Sequence, residues 1–214
     1  MLTQAETLAS QVTKNSANDA SFVRSKDRLI RNALAGLLSE SAWRLAVNGL
    51  TKKETLSSTN FTHTYEQIDL VTDDNKSIEV RSSFPRKGLA FALCNPTYEF
   101  DVIGPYVNDY KPGEISKNFY VRTLFPFEES ELLERIRGKG IQMFLTGGAT
   151  HEMFSDSSLS IEKSMTSMED VLLNQVGPAS KYKVIPFSKA LDTFEIAEML
   201  VYQHREAWSS FENT

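Results

Sequence analysis

The chain has 214 residues, of which 41% are hydrophobic and 24% charged, with a formal net charge of -5 and one cysteine, Cys94. That length and balance suit one globular domain with a sizeable core and exclude wholesale disorder. The lone cysteine excludes an internal disulfide and a cysteine-built zinc site, and makes a reducing compartment the simpler expectation. The negative total weighs against a general polyanion binder, although local patches govern phosphate contact.

Residues 1–23 are rich in Ser, Thr, Gln and Asn and carry no apolar stretch of the secretory-leader type. They are expected as a short helix around 3–12 or a loose arm, so that residues 1–25 precede a single α/β domain over 26–214. No apolar run approaches the ~18 residues of a membrane span, and a cytoplasmic location without membrane contact is expected. Ile30, Leu34, Leu37, Leu38, Leu45 and Val47 recur at helical spacing and predict a helix over 26–48, stopped at Gly49. Residues 51–60 are polar and read as a loop, and a short strand is expected over 61–65. Residues 67–72 and 77–82 alternate polar and apolar side chains around a turn at 73–76, which predicts an antiparallel hairpin. Further strands are expected over 89–93, 100–104, 119–124, 141–145 and 182–186, with Gly147 and Gly148 turning the chain after the fourth of these. A short helix over 128–137 starts acidic and ends basic, as the helix dipole favours. A closing helix over 192–208 carries Phe194, Met199 and Leu200, which suit either the core or a homodimer. Residues 151–180 give no clear pattern. The order of elements predicts an α/β sandwich around a mixed sheet.

Chemistry concentrates in three acids. Asp69 and Glu79 stand mid-strand on the two arms of the predicted hairpin, where both carboxylates can lie on one side near its open end. Burying unpaired carboxylates among apolar strand neighbours is costly. A divalent cation offsets that cost, and Mg²⁺ takes oxygen ligands, commonly carboxylates with water and phosphate. Glu40 lies four residues after Gly36 on the long helix, beside Leu37, Leu38 and Trp43. A glycine one turn away allows helix and sheet to approach closely, so a third carboxylate would complete the site.

The order Gly-x-x-x-Glu in GLLSE, Asp in QIDLVT and Glu-x-Arg in SIEVRS resembles the PD-(D/E)XK nucleases over roughly residues 30–85, with a weaker echo over 108–124. The chain departs from the pattern at Arg81, where most members carry Lys, and no proline precedes Asp69. The resemblance implies a restriction-endonuclease-like fold, a mixed β-sheet flanked by helices. It implies a Mg²⁺- or Mn²⁺-dependent endonuclease that hydrolyses DNA phosphodiester bonds, with Glu40, Asp69, Glu79 and Arg81 as catalytic residues. Asp69, Glu79, the carbonyl of Val80, and Glu40 would hold the metal. DNA is the implied partner and a homodimer a further expectation. An arginine is always charged and cannot act as a general base; it can hold a phosphate oxygen as a fixed cation.

Arg28, Arg31, Arg86 and Lys87 are candidates for phosphate contact, joined by Arg24, Lys26, Tyr110, Lys111, Lys117 and Arg122. Two alternatives stand beside the enzyme: a catalytically inactive relative that binds nucleic acid or protein, and a plain interaction module. Each residue also has an ordinary structural role open to it, the acids on a solvated hairpin face and the arginines on a charged helix face. Residues 147–150 lack the Gly-Lys-Ser/Thr ending of a nucleotide loop, and His63, His151 and His204 lack zinc-ligand spacing.

Overall fold

The computed structural model of the chain describes residues 1–11, 25–52, 54–59, 69–85, 101–105, 115–138, 140–165 and 180–209, with the backbone alone described at 164, 165, 180 and 202–209. In chain order the helices are α1 (Leu2–Gln11), α2 (Lys26–Thr51), α3 (Leu132–Arg137) and α4 (Thr193–Ser209). The strands are β1 (Leu56–Ser58), β2 (Leu70–Thr72), β3 (Ser77–Ser83), β4 (Asp101–Ile103), β5 (Phe119–Leu124), β6 (Phe144–Thr150), β7 (Ile161–Met165) and β8 (Ser180–Pro186). They form a mixed α/β protein with two sheets, where one was expected.

Helix α1 is docked: its small residues Ala5 and Ala9 share a core with Leu29, Ile30 and Leu34 of α2. Ser25 caps α2 by accepting the Arg28 amide at 3.3 Å, which supplies an acceptor to the unpaired first turn. The helix runs on past Gly49, the expected stop, and ends at Lys52 in the left-handed region. Thr51 Oγ1 donates to the carbonyls of Val47 and Asn48 at 3.1 and 3.2 Å. The Asn48 amide then brackets Leu56, donating to its carbonyl at 2.9 Å and accepting its N–H at 2.8 Å. That clasp starts β1 within the segment read as a loop. The apolar stripe of α2 is centred on Trp43 and Val47, so Leu45 is exposed where burial was expected.

The larger sheet has the order β1-β2-β3-β5-β6. Strands β1, β2 and β3 form an antiparallel meander, β3 and β5 are parallel, and β5 and β6 are antiparallel. The predicted hairpin is present, turning at Asn75 with φ 66°. Ile78, Val80, Phe119 and Val121 pack with Trp43 and Val47 of α2 and with Ile196, Ala197 and Leu200 of α4. Leu200 is therefore a core residue, while Phe194 is exposed. On the opposite face Tyr120 packs with Val102, Phe154 and Ile185, which joins this sheet to the smaller antiparallel sheet β4-β8-β7. Strand β5 is covered on both faces and buried along its whole length. The strands expected over 61–65 and 89–93 lie outside the described residues.

Gly147 and Gly148 sit inside β6 instead of turning the chain. The β5–β6 register slips between Val121 and Thr123, and Gly147 adopts φ 75° there, the positive φ that a bulge assigns to glycine. A Cβ at Gly147 would run into the Leu191 carbonyl, and one at Gly148 into the Tyr120 carbonyl. Gly147→Ala should therefore lower the unfolding free energy by about 1–3 kcal/mol, read as a shifted denaturant midpoint at unchanged slope; an unchanged midpoint would contradict the bulge.

Candidate functional site

The β2–β3 register pairs Leu70 with Ile78 and Val71 with Ser77, so one step further brings Asp69 across from Glu79. Asp69 precedes β2 and is not mid-strand as expected. It is buried, and its Oδ2 accepts the Val80 N–H at 2.7 Å. A carboxylate thus takes an amide of β3 that a strand carbonyl would otherwise meet. Glu79 and Arg81 alternate onto the face opposite Ile78 and Val80, and Arg81 Nη2 lies 3.3 Å from Glu79 Oε1. The Val80 side chain belongs to the core. Glu40 sits on α2, partly buried, between the buried Ser39 and the turn carrying Trp43.

Electrostatics ties the three acids together. Burial first, then the charge of Glu79, raise the Glu40 carboxyl from its ordinary 4.5 to about 7. Asp69 is pushed well above its ordinary range by burial, then by the charges of Glu79 and Glu40; the Val80 amide and the Arg81 cation pull the other way. Glu40, Asp69 and Glu79 therefore act on one another, with Arg81 as a counter-charge beside them.

Ligand geometry is a stricter demand. Among the described residues, no three His, Cys, Asp or Glu side chains stand together as a set able to hold a metal ion. The two findings agree once range is considered. Charges in a poorly solvated setting influence one another over several ångströms, whereas Mg²⁺ needs oxygens at about 2.1 Å. The acids are neighbours with hard oxygen donors and an excess of negative charge, which suits a divalent ion. Seating one requires the Glu79 and Glu40 side chains to close in on Asp69.

The basic candidates divide. Arg28 and Arg31 both reach Glu129, at 3.4 and 2.9 Å, and bind α2 to the turn Glu129–Glu131 that precedes α3. Lys26 lies at the exposed start of α2. Arg24, Arg86, Lys87, Tyr110 and Lys111 lie outside the described residues. Lys117 and Arg122 are not surface cations: Arg122 lies within the enclosed strand β5, and Lys117 is buried although its neighbours Ile115, Ser116 and Asn118 are exposed. Lys117 Nζ donates to the Ile115 carbonyl at 2.8 Å. Arg122 donates from Nη1 to the Asp101 carbonyl at 3.0 Å and from Nη2 to Ser83 Oγ. The structural part played by Arg122 was missed in the sequence; its signal was an arginine set within the apolar run FYVRTL.

No family profile matches the chain, and no solved structure matches it. An uncharacterized protein of Methanocaldococcus jannaschii is 28% identical over a match covering 57% of this chain and 47% of that relative. The match thus spans about half the length of the curated relative, whose name assigns no activity. Among the described residues, no helix is long and apolar enough to cross a membrane.

The raised carboxyls fix a pH dependence. A folded-state pKa above the unfolded value means that the folded chain binds more protons between the two, so stability falls as pH rises through that window. For Glu40 the window runs from 4.5 to about 7. The metal-free protein should lose roughly 1–3 kcal/mol of unfolding free energy between about pH 5 and about pH 7.5. Glu40→Gln should flatten that slope in denaturant titrations; a slope unaffected by the substitution would mean that Glu40 is solvated.

Proposed function

We propose that the chain is a divalent-metal-dependent phosphodiester hydrolase of the restriction-endonuclease-like kind, with DNA as its substrate. The observation that carries this reading is the mutual electrostatic influence of Glu40, Asp69 and Glu79 around the Asp69–Val80 hydrogen bond. The architecture supports it: a helix bearing Glu40 lies near an antiparallel meander whose second and third strands carry or adjoin the two other acids. The resemblance assigns the acids in that same order. In this reading Asp69, Glu79 and the Val80 carbonyl hold Mg²⁺ or Mn²⁺, with Glu40 nearby. When bound, such an ion supplies an activated water and positive charge for the phosphoryl oxygens.

The chain's own groups do the rest. The Val80 N–H fixes Asp69 Oδ2, so this acid is oriented in advance. Glu40 is raised to about 7 by burial and by the Glu79 charge in the metal-free chain; a divalent ion beside it would favour the carboxylate, which would then face the ion or its water. Arg81 remains a cation and cannot take a proton; when Glu79 is engaged elsewhere, its guanidinium is released toward a phosphate oxygen. Arg28 and Arg31, with Arg86 and Lys87, are the proposed contacts to the DNA backbone. They act in a cytoplasmic protein, with a homodimer as the proposed assembly.

A second reading is a catalytically inactive protein that binds nucleic acid or a protein partner through the same fold. It is favoured by Arg81 standing in the lysine position and already paired with Glu79, and by the lack of a formed three-ligand set among the described residues.

Plasmid DNA incubated with the protein should be nicked or linearised in Mg²⁺ or Mn²⁺ and left intact in chelator. Asp69→Asn and Glu79→Gln should each lower the rate on the order of 100-fold or more. Retention of DNA without cutting in either metal would select the second reading. Ion binding should also offset the carboxylate repulsion. At neutral pH, saturating Mg²⁺ should add about 2–3 kcal/mol of stability at roughly 100 times its dissociation constant, and Asp69→Asn should abolish that gain in thermal melts.

A further inference from the structure

We infer that Ser39 of α2 and Thr123 of β5 hold one ordered water molecule in the seam between helix and sheet, on the helix that carries Glu40. Both residues are 0% exposed. Among the described residues, neither Ser39 Oγ nor Thr123 Oγ1 meets a hydrogen-bond partner. A buried hydroxyl left without a bond is costly, and native interiors satisfy such groups with a protein partner or with water.

The two hydroxyls stand at the same level of the fold. Trp43 and Val47, further along α2, pack with Phe119 and Val121 in the first half of β5. Leu34 and Leu37, earlier on the helix, share a core with Phe125 just beyond the end of that strand. The helix therefore runs against the direction of β5. Ser39 falls between Leu37 and Trp43, and Thr123 falls between Val121 and Phe125, on the same face as Val121 because strand side chains alternate. One turn away, the bond from Trp43 Nε1 to the Arg122 carbonyl, at 3.2 Å, holds the helix to the strand. The two apolar cores thus meet at a polar gap.

In the parallel register Ser82 of β3 stands opposite Thr123, so it shares that face and offers a third hydroxyl. Ser82 is half-buried, which opens the gap on that side. A Cβ at Gly36, one turn before Glu40, would meet nothing within 4 Å, so α2 leaves room there. Water suits such a gap: like a hydroxyl it both donates and accepts, and about three partners are usual for a buried water. Hydroxyls alone do not offset the lost hydration of an ion. Held between α2 and β5, the water would fix the height of the helix above the sheet, and with it the placement of Glu40. The site stands whether or not the chain cuts DNA.

Oxygen-17 magnetic relaxation dispersion on the full-length, metal-free protein counts the waters that stay bound longer than the molecule takes to tumble. That count should fall by one in Ser39→Ala and by one in Thr123→Val, and it should be kept in Thr123→Ser, which retains the hydroxyl. Thr123→Val should lower the folding equilibrium constant about three- to tenfold, the loss of a satisfied hydrogen bond. The same substitution should cost at least about threefold less in a chain already carrying Ser39→Ala, because one water serves both hydroxyls. A higher folding constant in Thr123→Val would overturn the inference, since removing a dry, unbonded hydroxyl relieves a cost. An unchanged water count in either variant, or strictly additive effects, would overturn it too, because each hydroxyl would then be satisfied within its own element. Should Thr123→Val not fold, Ser39→Ala carries the test by its water count alone: one water fewer supports the site, and the same number overturns it.

Discussion

The acidic site depends on one hydrogen bond, from the Val80 amide to Asp69 Oδ2 at 2.7 Å. It joins the residue entering β2 to the middle of β3, and so sets the separation of two carboxylates that would otherwise repel. It is also a stabilising contact for an ion that burial disfavours, since an amide donor compensates part of the lost hydration. The remaining imbalance is spread over Glu40, Glu79 and Arg81. Raised carboxyl pKa values at Asp69 and Glu40 are the consequence. A protein selected for stability alone would avoid such crowding, and sites that retain it are candidates for function.

Much of the architecture was legible because it is written in periodicity. The long helix, the hairpin around Asn75, the strand at 119–124 and the closing helix each carry a run of apolar residues at the right spacing, and each is present. The elements misread were those decided by single tertiary contacts. Strand β1 is clasped at Leu56 by Asn48, and a triplet with one apolar residue, Leu56–Ser58, shows no trace of that. Gly147 and Gly148 resemble a turn in isolation; within the sheet they permit a bulge and a close approach to Tyr120 and Leu191. The end of α2 was placed at Gly49 because glycine often stops helices, while here Thr51 hydroxyl bonds and a left-handed Lys52 carry it further.

The site was legible to a different degree. The spacing of Asp69 and Glu79 around a turn is local information, and the register places them opposite one another as hairpin geometry requires. Glu40 is remote in sequence, and only the resemblance drew it to the hairpin; its influence on Asp69 shows the two to be neighbours. The basic residues were the least legible. Charge in a sequence does not reveal whether a side chain meets solvent, another residue or the interior, and Arg28, Lys117 and Arg122 have very different surroundings.

The slipped register of β6 bears on how the molecule avoids its own kind. This strand is one border of the larger sheet, and a border strand offers unpaired amides and carbonyls to any passing chain. Here Leu191 exchanges two backbone hydrogen bonds with Gly148, both at 2.9 Å, and Thr193 Oγ1 donates to the Leu145 carbonyl at 2.8 Å. The segment leading into α4 therefore covers the open side of β6, and the two glycines are what let it come close enough. At the other border, β1 is only three residues long. Among the described residues, both margins thus offer little free backbone for edge-to-edge pairing with another chain.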